Sequence, residues 1–159
     1  MITFHQALEA AWSAVKATGP GDIVVELQGS DYHGTFSFAT AVERRSDHVV
    51  EVVVNAESGR VSKLDDKGSV PALHGRSAAD GWQKFIPAKR AYDIALGALA
   101  GFREYDERGR LTVELRQDVY CVTFPLLITK DTGSRRADFA MQVYVDARTG
   151  KVLNLLGAS

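Results

Sequence analysis

Apolar residues along the chain follow two periods, and the switch from one to the other happens twice. Phe4, Leu8, Trp12 and Val15 recur at helical spacing, Thr3 and Gln6 form a capping-box pair ahead of them, and Gly19-Pro20 stops the run. A first helix is therefore predicted between Thr3 and Gly19. From Tyr32 to Val42 the period becomes two: Phe36, Phe38, Thr40 and Val42 share one face, while His33, Thr35 and Ser37 share the other. Val50, Val52 and Val54, then Val61, continue the alternation across Asn55-Ala56-Glu57-Ser58-Gly59. An Asx residue that opens a short loop and a glycine able to take positive φ at its end are hairpin chemistry.

The same succession then returns. Pro87 suits a first helical position, and Ala91, Ile94, Ala95, Ala98 and Leu99 form a thin apolar stripe that runs out at Gly101. Phe124, Leu126 and Ile128 share a strand face, and Val143 and Val145, then Val152, alternate across Asp146-Ala147-Arg148-Thr149-Gly150. Residues 44–64 align without a gap with residues 135–155, nine of 21 pairs being identical, and Tyr32-x-x-Thr35-Phe36 matches Tyr120-x-x-Thr123-Phe124 at an offset of 88. The pattern predicts an α+β protein of two tandem repeats, each one helix packed on an antiparallel four-stranded meander sheet. The repeats span residues 1–66 and 86–159. A linker over 67–85 is read from the composition of Asp65–Pro71, with a short helical turn in Ser77–Phe85 whose Trp82 and Phe85 cover apolar surface. A unit of about 65 residues buries too little surface to be robust alone, so the halves are expected to fold together.

The string Val143-Tyr144-Val145-Asp146-Ala147-Arg148-Thr149-Gly150-Lys151-Val152-Leu153, its degenerate copy over Val52–Val61, and the helix opening Ile86-Pro87-Ala88-Lys89-Arg90-Ala91 resemble the PepSY family. The resemblance implies a cystatin-like sheet-and-helix module with an inhibitory or regulatory binding role toward a protein or peptide. It specifies a hairpin shape and no reactive group. Small cystatin-like immunity proteins, cytoplasmic inhibitors of toxins, end in a similar strand-turn-strand and offer an alternative of the same kind.

Composition narrows the partners. Nineteen Lys and Arg against 20 Asp and Glu leave a net charge of −1, without the basic field that nucleic acid requires. One cysteine closes no internal disulfide, and four scattered histidines (His5, His33, His48 and His74) offer no zinc spacing, so no metal or cofactor is expected. No apolar run reaches a membrane span and no export signal opens the sequence as written, which points to the cytoplasm and to no membrane insertion.

Four candidate chemistries remain. Arg44-Arg45 and Arg135-Arg136 recur at matching places, with Asp47 and Asp138 two residues after each doublet. Guanidinium pairs suit carboxylates, so these four arginines are the expected contacts for an acidic protein or peptide, although charged residues also protect strand edges. Asp131-Thr132-Gly133 has the loop sequence of an aspartic protease but lacks a second copy, and reads as a turn. His33 and Cys121 are equivalent by the internal alignment, and a two-fold arrangement would make them a thiolate-imidazole pair, the basis of a small-hydrolase alternative. Ser77 in Gly75-Arg76-Ser77-Ala78-Ala79 falls short of a nucleophile elbow and reads as a helix cap. The expectation is non-catalytic binding.

Overall fold

The computed structural model of the chain describes residues 1–15, 19–71, 77–101, 105–127 and 139–157. Its elements run α1 (Phe4–Ala14), β1 (Gly21–Gln28), β2 (Asp31–Ala39), β3 (Ser46–Asn55) and β4 (Val61–Pro71), then a 3-10 turn (Trp82–Lys84). The rest is α2 (Ala88–Ala98), β5 (Leu111–Arg116), β6 (Val119–Phe124), β7 (Met141–Asp146) and β8 (Val152–Gly157). The eight strands form one antiparallel sheet in the order β4-β3-β2-β1-β5-β6-β7-β8. The two meanders thus join edge to edge through β1 and β5, with Ile23 opposite Val113 and Val25 opposite Leu111.

Both helices lie on one face, because only that face is apolar. Phe4, Leu8 and Ala11 of α1 bury against Ile23, Val25, Tyr32, Phe36, Val50 and Val52. Ala88, Ala91, Tyr92 and Ala95 of α2 do the same in the second meander, against Leu111, Val113, Leu115, Tyr120, Val122, Phe124, Val143 and Val145. Small residues set the spacing: a Cβ added at Gly34 would sit 3.7 Å from that of Ala11. The Thr3 capping box forms as expected, the Gln6 N–H donating to Thr3 Oγ1 at 3.3 Å and the Thr3 N–H to Gln6 Oε1 at 3.0 Å.

The two hairpin loops close identically. The Asn55 N–H donates to Arg60 O and the Asp146 N–H to Lys151 O, each at 2.8 Å. Asn55 Oδ1 accepts from Glu57 and Ser58, and Asp146 Oδ1 from Arg148 and Thr149. Gly59 and Gly150 take φ of 73° and 77°, the left-handed conformation that closes the turn. Ahead of each helix, the Tyr32 hydroxyl donates to Ile2 O at 2.9 Å and the Tyr120 hydroxyl to Ile86 O at 2.7 Å.

Several local expectations are corrected. Residues 67–71, expected in a linker, are the end of β4, with Gly68–Pro71 pairing with Ser46–Val49; Gly68 at φ 64°, its N–H held by Asp66 Oδ1 at 2.9 Å, carries the strand through a bulge. β2 stops at Ala39, since the Thr40 hydroxyl donates to Ser46 O at 2.8 Å and turns the chain away, so Thr40 and Val42 do not continue the strand face. Pro87 is the residue before the first helical position, and Gly81, not Ser77, precedes the 3-10 turn. Ser77 and Ala79 instead bond the backbone of Gln117.

Candidate functional site: the open face of the sheet

With both helices on one face, alternate residues of every strand point the other way. On the first meander these include His33 and Thr35 of β2, Glu51 and Val53 of β3, and Lys63 and Asp65 of β4, brought abreast by the pairings Thr35 with Glu51, Glu51 with Asp65, and Val53 with Lys63. Together with Gln28 they line a shallow groove of about 340 Å³. Its groups are mixed in sign: the carboxylates of Glu51 and Asp65, the Lys63 ammonium and the His33 imidazole. Lys67 Nζ reaches Glu51 at 3.4 Å, and His48 Nε2 lies 2.9 Å from Asp66. The Gly68 N–H, ahead of a smaller effect of His48, holds the Asp66 carboxyl below its usual range.

The second meander presents a polar network on the same face. The Tyr144 hydroxyl donates to Gln142 Oε1 at 3.2 Å, Gln142 Nε2 to Thr123 Oγ1 at 3.3 Å, and Arg116 Nε to Glu114 at 3.1 Å. Cys121 is buried there, its Sγ 3.8 Å from Thr123 Oγ1.

The anticipated His33/Cys121 pair does not form. β2 and β6 are separated by β1 and β5, three strand spacings or roughly 14 Å, because the sheets join by their first strands and a superposable position in each half lands far from its twin. Among the described residues no group of three or more His, Cys, Asp or Glu is placed to hold a metal ion.

The basic doublets divide. Arg44 is fully buried at 0% exposure in the β2–β3 connection, its guanidinium donating to Asp47 at 2.6 and 3.0 Å and to Asp22 at 3.2 Å. Burial alone would lower its pKa; the hydrogen bonds and charges of Asp47 and Asp22 outweigh that and hold it above the ordinary value. Asp22 Oδ1 also accepts from the Leu115 N–H at 2.7 Å, so the cluster ties β1 to β5 where their ladder ends. Arg44 is thus a structural cation and is not presented to a partner. Its neighbour Arg45 is the exposed member, at 89%, with Glu43 3.2 Å away. Arg135, Arg136, Asp138, Asp131, Ile128 and His74 lie outside the described residues. The groove carboxylates and Lys63 are not singled out by the sequence reading; the alternation that places His33 and Thr35 together, extended to β3 and β4, is the signal that finds them.

Comparison with known proteins now adds the family. Residues 1–64, which comprise α1 to β3 and the start of β4, match the PepSY family, described as "Peptidase propeptide and YPEB domain". This first stretch, and not the whole chain, is PepSY-like. Among solved structures it is similar to a crystal structure of a "putative lipoprotein" from Clostridium difficile 630, at 12% identity and a TM-score of 0.40, over 99% of this chain and 93% of that one. No curated protein matches. The PepSY match does not carry the cytoplasmic or immunity-protein expectations. Among the described residues no helix is long and apolar enough to cross a membrane.

Proposed function

We propose that this chain is a non-catalytic regulatory or inhibitory module that holds an extended segment of a protein partner across the open face of its sheet. The observation that carries the reading is the groove itself: a polar concavity of about 340 Å³ on the face that neither helix covers, lined, apart from Asp65, by residues of the stretch that matches a peptidase-propeptide family. An extended peptide lying across the strands passes over two rows of side chains, His33–Val53–Lys63 and Thr35–Glu51–Asp65, which offer it polar and charged groups of both signs. Of the two groove carboxylates Glu51 is met by Lys67 from the margin, so Asp65 is the group that favours a basic residue in the segment at the groove. Burial of Arg44 removes half of the first basic doublet from the acidic-partner reading and leaves Arg45 as its accessible member.

The same proposal includes a tandem origin. Matching Asx turns at Asn55 and Asp146, and matching tyrosine-to-carbonyl bonds ahead of each helix, support two copies of one helix-and-meander unit.

The test is a titration of isotope-labelled chain with decapeptides of basic, neutral and acidic composition, followed by amide chemical shifts. Shifts concentrated at His33, Thr35, Glu51, Lys63 and Asp65, strongest with the basic peptide and lost in Glu51→Lys/Asp65→Lys, are expected. Shifts elsewhere, or none with any peptide, overturn the reading.

A further inference from the structure

Among the described residues the eight-stranded sheet has two free ends, and they are built differently. β4, at one end, carries Lys63, Asp65, Asp66 and Lys67, finishes at Pro71 and is bulged twice against β3. Lysines, a proline and bulges are the devices that stop an edge from adding another strand. β8, at the other end, has the sequence Val-Leu-Asn-Leu-Leu-Gly and no charge. Its pairing with β7 is shifted only between Tyr144 and Val145, which leaves Asn154–Gly157 in regular register.

Position by position, the contrast is sharper. Leu64 lies opposite Val52, and Leu155 opposite Val143, so β4 and β8 correspond at an offset of 91. Where β4 has Ser62, Lys63, Asp65 and Asp66, β8 has Leu153, Asn154, Leu156 and Gly157. Every charge in that stretch is gone, and Leu153, Leu155 and Leu156 stand 50%, 45% and 41% exposed. Neither helix explains them, since α2 packs mainly over β5, β6 and β7.

We infer that β8 is the interface through which two copies of this chain associate, pairing antiparallel about a two-fold axis into one continuous sheet. Another extended backbone is the partner that matches the regularly spaced outward amides and carbonyls of an edge strand, which points to a strand as the occupant. A two-fold interface must also be compatible with itself, and an uncharged strand meets that condition in any register. Centred on Leu155, the pairing sets that leucine beside its counterpart and Asn154 beside Leu156 of the second copy. In the single chain the Leu155 N–H is met by Asn154 Oδ1 at 2.9 Å, a side-chain contact that can give way to an arriving carbonyl. A strand of six residues offers about 20 Å of edge, so the association is of the small, concentration-dependent kind. It leaves the open-face groove of the first meander untouched, and the two readings stand or fall separately.

Sedimentation equilibrium of the full chain from roughly 1 μM to roughly 1 mM tests the pairing, together with hydrogen exchange at both ends of that range. The expected result is a reversible monomer–dimer equilibrium in which amides of Leu153–Gly157 gain protection with concentration. The Leu153→Lys/Leu155→Lys variant should shift dissociation upward by at least tenfold, while Leu64→Lys on β4 leaves it unchanged. A monomer throughout, a dimer without added β8 protection, or a dimer equally weakened by Leu64→Lys overturns the inference. Exchange on the unmodified chain decides the matter even if the double variant fails to fold.

Discussion

Arg44 and Arg45 are adjacent, chemically identical and opposite in role. Removing one partner of a buried ion pair leaves an uncompensated charge, so Arg44→Ala, which strands Asp22 and Asp47, should cost about 3–5 kcal/mol. Arg45→Ala, at an exposed site, should change stability by less than about 0.5 kcal/mol. Denaturant titration of both variants checks the contrast. Nothing in a doublet tells which member faces inward; Asp22 lies 22 residues upstream, and only folding shows that it points at Arg44. His5 makes a second residue-scale case. Its ring hydrogen-bonds the Tyr92 and Tyr105 hydroxyls, joining α1 to α2, with Glu107 close by and the Glu9–Lys89–Asp93 ion pairs alongside. Burial lowers the His5 pKa from 6.5, against a smaller opposing effect of Glu107. The unfolded chain therefore binds the proton first. The stability that His5 contributes is complete above pH 6.5 and is lost as pH falls through its lowered folded value. His5→Gln should flatten that part of the stability curve, as read from denaturation midpoints on either side of it.

At the scale of elements, turn chemistry was the most legible feature, because an Asx residue and a glycine act through bonds a few residues long. Both Asx loops, the capping box and both helices were visible in the chain order of residues. The end of β4 was not. Asp65–Pro71 has the composition of a linker, and it becomes a strand only because Ser46–Glu51 of β3 lies beside it. Glycines also separate by context. A Cβ at Gly21 would fall 2.0 Å from the Ser37 carbonyl oxygen and 2.9 Å from Phe38 Cα, where β1 meets β2 beside the Asp22–Arg44 cluster. Gly21→Ala should destabilise by about 1–3 kcal/mol or more, the cost of overpacking against backbone that cannot yield. Gly97, near the end of α2, meets nothing within 4 Å. Gly97→Ala should stabilise by about 0.5–1 kcal/mol, through a smaller entropy loss on helix formation. Thermal melts of the two variants should move in opposite directions.

For the whole molecule, the β1–β5 ladder, the Asp22–Leu115 bond and the His5–Tyr92 contact all cross between the meanders. Unfolding should accordingly be a single transition, with calorimetric and van't Hoff enthalpies equal; two resolved transitions would contradict it. Whatever depends on near neighbours is legible in the order of residues: the helical and strand periods, the hairpin loops, the internal likeness of the halves, the resemblance to PepSY and the α+β class. Tertiary structure alone decided that the meanders join by their first strands, which separates His33 from Cys121, sinks Arg44, assembles a groove from three strands and leaves β8 as an uncharged edge. Periodicity reports which face of a strand is apolar, whereas strand order is set by long-range pairing, and a local pattern carries no record of which distant strand lies alongside.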